Sequence, residues 1–258
     1  MTHTQLQNIR RRFLAYVNAY IDQSGKMKNM MELKREHCAF VAKNARELAQ
    51  RSGWNKSKLY AAEALGLLHD IGRFPQLEEY GTFRDECSIN HGLRGAQAIK
   101  EEGLLDDIDE QLRESIILAV LHHNERELNQ KIPTEALPWL KLIRDADRLD
   151  IYRVILEKLK NGELEKHPDV VLHLEINAPP SPTILKAISN HQPPAYTDLR
   201  SVADFLLMLL SWTHQMTLLP AAYEIMKERG ILPEFVKFLP KLPEVEFFLN
   251  QLPLQIEE

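Results

Sequence analysis

The sequence predicts an all-α protein, a helical bundle followed by a C-terminal helical extension. Three observations carry this expectation. Apolar residues recur at spacings of three, four and seven along most of the chain, the period that lines one face of a helix. No run alternates apolar and polar residues over the length of a strand. Gly and Pro concentrate in a few segments that read as connections. Helices are predicted at 4–22, 28–51, 56–69, 91–102, 108–124, 138–160, 198–216, 218–229 and 233–238.

Taken in order, the elements have local reasons. In the second helix Leu33, His37, Phe40, Val41 and Leu48 share one face, and Gly53 supplies a C-terminal stop. The third ends in the apolar run that leads into Leu67-Leu68-His69-Asp70-Ile71-Gly72-Arg73-Phe74. Gly72, Pro75 and Gly81 make 72–90 read as a loop, and His91 opens the next helix. Ile116 to Leu121 is an apolar helical run that ends in His122-His123-Asn124. Leu140, Ile143, Asp147, Ile151 and Val154 form one stripe in the helix at 138–160. Pro168, Pro179, Pro180, Pro182, Pro193 and Pro194 mark 161–196 as a connection. The expected organisation is a main domain at 1–160, this connection, and an extension at 197–258 packed on the same domain. Pro233, Pro240, Pro243 and Pro253 punctuate that extension into short helices and turns.

The bulk properties narrow the function. With 258 residues, 44% hydrophobic and 27% charged, the chain can bury a core without disulfides. A net charge of −5 argues against a broad nucleic-acid surface. Cys38 and Cys87 form no CxxC, which suits a reducing cytoplasm and removes thiolate zinc sites. Arg10, Arg11 and Arg12 precede no apolar segment, so a signal peptide is not expected. Asp204, His214 and Gln215 interrupt the apolar stretch 202–219, which reads as a buried helix rather than a membrane span. Neither a GxGxxG nor a Walker loop is present.

Polar residues on apolar faces are the informative ones. Alone, an inward His37 reads as a core histidine held by a hydrogen bond. An inward Asp147 is costly to bury unless it pairs, with Arg144 or Arg148 for example, or binds a cation. His91 alone reads as an exposed loop residue. His122-His123 alone reads as a pair at the carbonyl end of a helix. His69-Asp70 either caps its helix or binds metal. Together these sites supply imidazole and carboxylate without thiolate, the ligand set of Mn, Fe, Co, Ni or Zn.

This pattern resembles the HD-domain metal-dependent phosphohydrolase superfamily, in which a His, a His-Asp doublet and a distant Asp sit on an all-α bundle. His37 fits the first His, His69-Asp70 the doublet, and Asp147, within Asp145-Ala146-Asp147-Arg148-Leu149-Asp150, the closing Asp. His91, His122 and His123 resemble the additional histidines of the subgroup with two metals. The similarity runs from about Glu36 to Ile151. The Gly-Tyr-Pro motif of the cyclic-di-GMP-hydrolysing subfamily is absent after His122-His123, where the chain reads Asn124-Glu125-Arg126-Glu127.

The resemblance implies a hydrolase acting on a nucleotide or another small phosphoester through a metal-activated water. His37, His69, Asp70 and Asp147 would hold one divalent ion. Asp70 would bridge to a second, held by His91 and by His122, His123 or both. Mn, Fe, Ni, Co and Zn are the candidate metals, with Mg a further one. His69, Asp70 and Arg73 are expected to carry catalysis, and Arg73, Arg84 and Lys141 to contact substrate phosphate. Asp145 or Glu36 would fix the outer ring nitrogens of the histidines. The loop 72–90 would form a rim or lid. The expected partner is a small phosphorylated molecule, with neither nucleic acid nor membrane. The apolar C-terminal helices would serve a homodimer interface or a core. A di-iron oxygenase and a non-catalytic ligand-binding HD protein are the alternative functions.

Overall fold

The computed structural model of the chain describes residues 1–127, 131–190 and 192–252. Among the described residues there is no β-strand; a single isolated bridge joins Glu175 and Ser201. The all-α expectation holds. The chain divides into two compact units, Met1–Asp150 and Ile151–Glu258.

The first unit contains α1 (His3–Asn18), α2 (Asn29–Arg51), α3 (Lys56–Leu68), α4 (Arg73–Tyr80), α5 (His91–Glu101), α6 (Glu110–His122) and the start of α7 (Leu137–Lys160). Local chemistry sets several of the starts. Thr2, Asn55, Asn90 and Asp109 each accept the backbone N–H three residues on, at Gln5, Lys58, Leu93 and Leu112. Such a cap is worth about 1 kcal/mol. The core joins Ile9 and Phe13 of α1, Val41 and Leu48 of α2, Leu65 and Leu68 of α3, Ile116 of α6 and Ile143 of α7, all buried. Each large apolar side chain gains about 1.5–3 kcal/mol from leaving water.

Two glycines let the helices approach closely enough to bring polar ends together. A Cβ on Gly66 of α3 would lie 2.6 Å from Ala42 Cα and 2.7 Å from the Val41 carbonyl oxygen of α2. A Cβ on Gly72 would collide with the His91 carbonyl oxygen and come within 2.5 Å of Gly95 N. The His69-Asp70 turn therefore abuts both α2 and the start of α5.

The segment 72–90, expected to be a loop, instead contains α4 and a short 3-10 turn at Asp85–Cys87. Pro75 sits in the first turn of α4, where its missing N–H costs nothing, and Gly81 ends the helix with φ 68°. Proline explains two further helices that periodicity did not reveal. Pro182 and Pro243 start α8 (Pro182–Ser189) and α12 (Pro243–Leu249), because their fixed φ suits a first helical position.

The second unit also holds α9 (Val202–Ser211), α10 (Ala221–Glu228) and α11 (Ile231–Val236). The boundary between units falls inside α7, ahead of the Pro-rich segment. Past it, Tyr152 donates its hydroxyl to the Leu209 carbonyl and packs edge-on to Phe235 at 5.6 Å. Asp204, buried at the start of α9, accepts backbone N–H groups from Ser181, Arg200 and Ser201. Among the described residues no helix is long and apolar enough to cross a membrane. Pro253 lies outside the described residues.

Gly66→Ala tests the close packing of α2 on α3. Alanine would gain about 1 kcal/mol of helix propensity but must push backbone apart, so a net loss of about 1–2 kcal/mol is expected. Urea unfolding measures it, and unchanged stability would refute the tight contact.

Candidate metal centre

Six side chains from five separate segments meet in the first unit: His37 of α2, His69 and Asp70 at the end of α3, His91 at the start of α5, His123 just past α6, and Asp147 of α7. Their donor atoms form three groups with members within 4.8 Å of one another: His37, His69 and Asp70; His69, His123 and Asp147; Asp70, His91 and His123. All are buried except Asp147, whose side chain is 21% exposed.

Asp70 lies at the centre. Its Oδ2 is 3.6 Å from His37 Nε2 and 3.7 Å from His69 Nε2. Its Oδ1 is 3.4 Å from His91 Nε2 and 3.6 Å from His123 Nε2. Asp147 Oδ1 completes the first side, 3.0 Å from His37 Nε2 and 3.6 Å from His69 Nε2. Donors about 2.0–2.2 Å from a shared ion stand about 3–3.5 Å from each other, so this spacing fits coordination.

The outer ring nitrogens settle which atom faces inward. His37 Nδ1 donates to Asp150 Oδ2 at 2.7 Å, and His91 Nδ1 to Asp85 Oδ2 at 2.7 Å. His69 Nδ1 donates to the Gly66 carbonyl at 2.8 Å, and His123 Nδ1 to the Val120 carbonyl at 2.7 Å. Carboxylates and carbonyls only accept, so each Nδ1 carries the proton. In the neutral ring Nε2 then offers a lone pair to the centre. The buried Nε2 atoms of His37 and His69 make no hydrogen bond among the described residues. His91 Nε2 and His123 Nε2 point at one another across 3.2 Å. Facing lone pairs and unsatisfied buried nitrogens are what a cation relieves.

The electrostatics agree for most of the set. Burial pushes His69 below its ordinary value. Burial, and then the Arg73 guanidinium, push His91 down to about 3. Both rings are therefore neutral at pH 7, the form that can offer a lone pair to a cation. His37 differs: burial and Lys34 push it down, but Asp147 and Asp150 outweigh them and raise it to about 9. Asp70 and Asp147 stay well below the usual carboxylate range. Burial opposes this, but Lys34 and His69 outweigh it at Asp70, and His37 and His69 do so at Asp147.

Several supporting residues escaped the sequence reading. Asp150 and Asp85 fix His37 and His91, the role expected of Asp145 or Glu36; Asp145 instead lies 3.6 Å from Arg148. Asp85 is a hub that also accepts from Arg73 Nη1, Gln76 Nε2 and Asn124 Nδ2 at 2.8–3.0 Å. Asn44 of α2 donates to the Ala146 carbonyl, beside Asp147. Arg144 does not bridge to Asp147. It donates to the carbonyls of His123, Glu125 and Arg126, pinning the end of α6. Lys34 places Nζ 2.7 Å from Asp70 Oδ2.

Not every expected site residue joins the cluster. His122 turns away and bonds Glu125 Oε1 through Nδ1 at 2.6 Å. Adjacent helical residues point about 100° apart, and here His123 rather than His122 takes the inward direction. Arg84 pairs with Glu86 at the surface, 3.3 Å away. Lys141 is half-buried on α7. Arg73 is adjacent, with Nε 3.5 Å from Asp70 Oδ1, but its Nη1 is committed to Gln76, the Phe83 carbonyl and Asp85.

Two expectations follow for metal content, measured by plasma mass spectrometry on purified protein. His123→Ala should lose bound transition metal, whereas His122→Ala should keep the wild-type content; equal behaviour of the two variants would refute the assignment. Asp150→Asn should weaken metal binding about 10–100-fold, the usual cost of losing a carboxylate behind a ligating imidazole. An unchanged dissociation constant would show that Asp150 has no such part.

No curated protein and no solved structure compared with the chain matches it. Residues 35–152 match the family model of the HD domain, and this segment contains every member of the cluster. The His37, His69-Asp70 and Asp147 pattern on an all-α unit thus lies within a segment that matches the HD domain.

Proposed function

We propose that the protein is a metal-dependent phosphohydrolase acting on a nucleotide or another small phosphoester. The observation that carries this reading is Asp70, whose two oxygens face separate imidazole pairs at 3.4–3.7 Å. His37, His69, Asp70 and Asp147 form one donor set, and Asp70, His91 and His123 the other. Imidazole with carboxylate suits Mn, Fe, Co, Ni or Zn, with Mg a weaker match. Such ions, when bound, polarise a phosphoryl group and lower the pKa of water.

The chain's own residues supply orientation and charge. Asp85, Asp150 and two helix-end carbonyls hold the four rings in one tautomer. Arg73 acts as a positioning residue: through Nη1 it ties the Phe83–Asp85 segment to the turn that carries Asp70, while its buried Nε has no hydrogen-bond partner among the described residues. Burial keeps bulk water from the His69 and Asp70 side, leaving Asp147 on the accessible edge. A cytoplasmic setting belongs to the same reading and agrees with two free thiols, one buried and one exposed.

The test is a phosphate-release screen with phosphomonoesters, phosphodiesters and nucleotides in Mn, Co, Ni and Mg, run beside metal analysis. Asp70→Ala should lose bound metal and lower phosphate release at least about 100-fold, since a ligand shared by both donor sets is removed. Full metal content and full activity in that variant would refute the site. Iron content with oxygen consumption and no phosphate release would favour a di-iron oxygenase instead.

A further inference from the structure

Lys34 is a cation at this centre that nothing in the HD signature accounts for. It lies one turn ahead of His37 on α2 and immediately before the segment that matches the HD domain. Its ammonium sits 2.7 Å from Asp70 Oδ2, against the face that His37 and His69 share. We infer that Lys34 is the substrate-binding residue that takes hold of a phosphoryl oxygen at the open edge of the cluster. The inference rests on the phosphohydrolase reading.

Exposure defines the edge. The side chains of His37, His69, Asp70, His91 and His123 are all 5% exposed or less. Lys34 and Asp147 are each 21% exposed. An anion reaching the cluster past these two meets one carboxylate that repels it and one ammonium that attracts it. Lys34 supplies the attraction that Asp147 and Asp70 would otherwise deny.

Donor accounting points to the same residue. An ammonium offers three N–H donors. Among the described residues, the hydrogen bond of Lys34 is the one to Asp70, and its Nζ also lies 5.7 Å from the centre of the Phe83 ring. Arg73 stands at the same distance from that ring, but its Nη1 already serves Gln76, Phe83 and Asp85. Lysine also carries its charge on a flexible four-carbon stem, so it can swing from carboxylate to phosphate while the arginine fork stays fixed. Arg84 pairs with Glu86 at the surface.

The test uses the full chain loaded with Mn and titrated calorimetrically with inorganic phosphate, beside Lys34→Met and Lys34→Arg. Metal stoichiometry and far-ultraviolet circular dichroism are recorded for each. Wild type should bind phosphate. Lys34→Met should keep the metal and the helical spectrum but bind phosphate roughly ten- to hundredfold more weakly, the scale of one lost charge-assisted hydrogen bond. Lys34→Arg should recover most of that affinity. Where a phosphoester substrate is turned over, Lys34→Met should raise KM by a similar factor. Phosphate binding unchanged in Lys34→Met, with metal retained, would overturn the role of Lys34 and leave the phosphohydrolase reading standing. Loss of metal in Lys34→Met would also overturn it, since Lys34 would then serve only to hold Asp70. Failure of metal-loaded wild type to bind phosphate would overturn the phosphohydrolase reading, and the role of Lys34 with it.

Discussion

Each of four inward-facing imidazoles gives its Nδ1 proton to a fixed acceptor, and the rest of the centre depends on that arrangement. With Nδ1 committed, the neutral ring has one lone pair left, on Nε2, and one direction in which to present it. Asp70 then has imidazole nitrogens around both of its oxygens. Were any ring free to flip, a protonated nitrogen would face the carboxylate cluster, and a hydrogen-bonded core histidine would take the place of a ligand.

Two of the acceptors are the helices themselves. His69 and His123 follow directly after α3 and α6, and each donates Nδ1 to the carbonyl three residues back, Gly66 and Val120. Those carbonyls stand at the ends of their helices, where no further turn continues to satisfy them. Capping and metal binding are thus complementary at these positions. One nitrogen satisfies the backbone and the other faces the centre. The other two rings, on α2 and α5, rely on carboxylates from distant segments, Asp150 and Asp85. The acceptor follows from position: a ring at a helix C-terminus finds a loose carbonyl, and a ring elsewhere needs a side chain.

Convergence of five segments also needs backbones that nearly touch. Gly66 against Ala42, and Gly72 against the start of α5, leave no room for a Cβ. These contacts bring the His69-Asp70 turn beside His37 and His91, while Asn44 and Arg144 tie α7 to α2 and to the end of α6. Apolar burial drives the packing, and the small residues set how close it comes.

The sequence by itself determined the all-α class and most helices of the first unit, and through a family resemblance it offered every residue of the cluster with His122 beside them. Helical periodicity is a local property, and an inward His or Asp stands out against an apolar stripe. It misjudged Pro75 and Pro182, which sit in first helical turns, because a proline reads alike as breaker and as starter until the following turn is seen. Only the tertiary structure decided between His122 and His123, found Asp85 and Asp150 behind the rings, and brought Lys34 to Asp70. The sequence separation of His37 and Asp150 shows why: these partners are 113 residues apart, and no local pattern carries their distance. Residue type is written along each helix, but the proton on each imidazole is set by whatever the fold packs behind it.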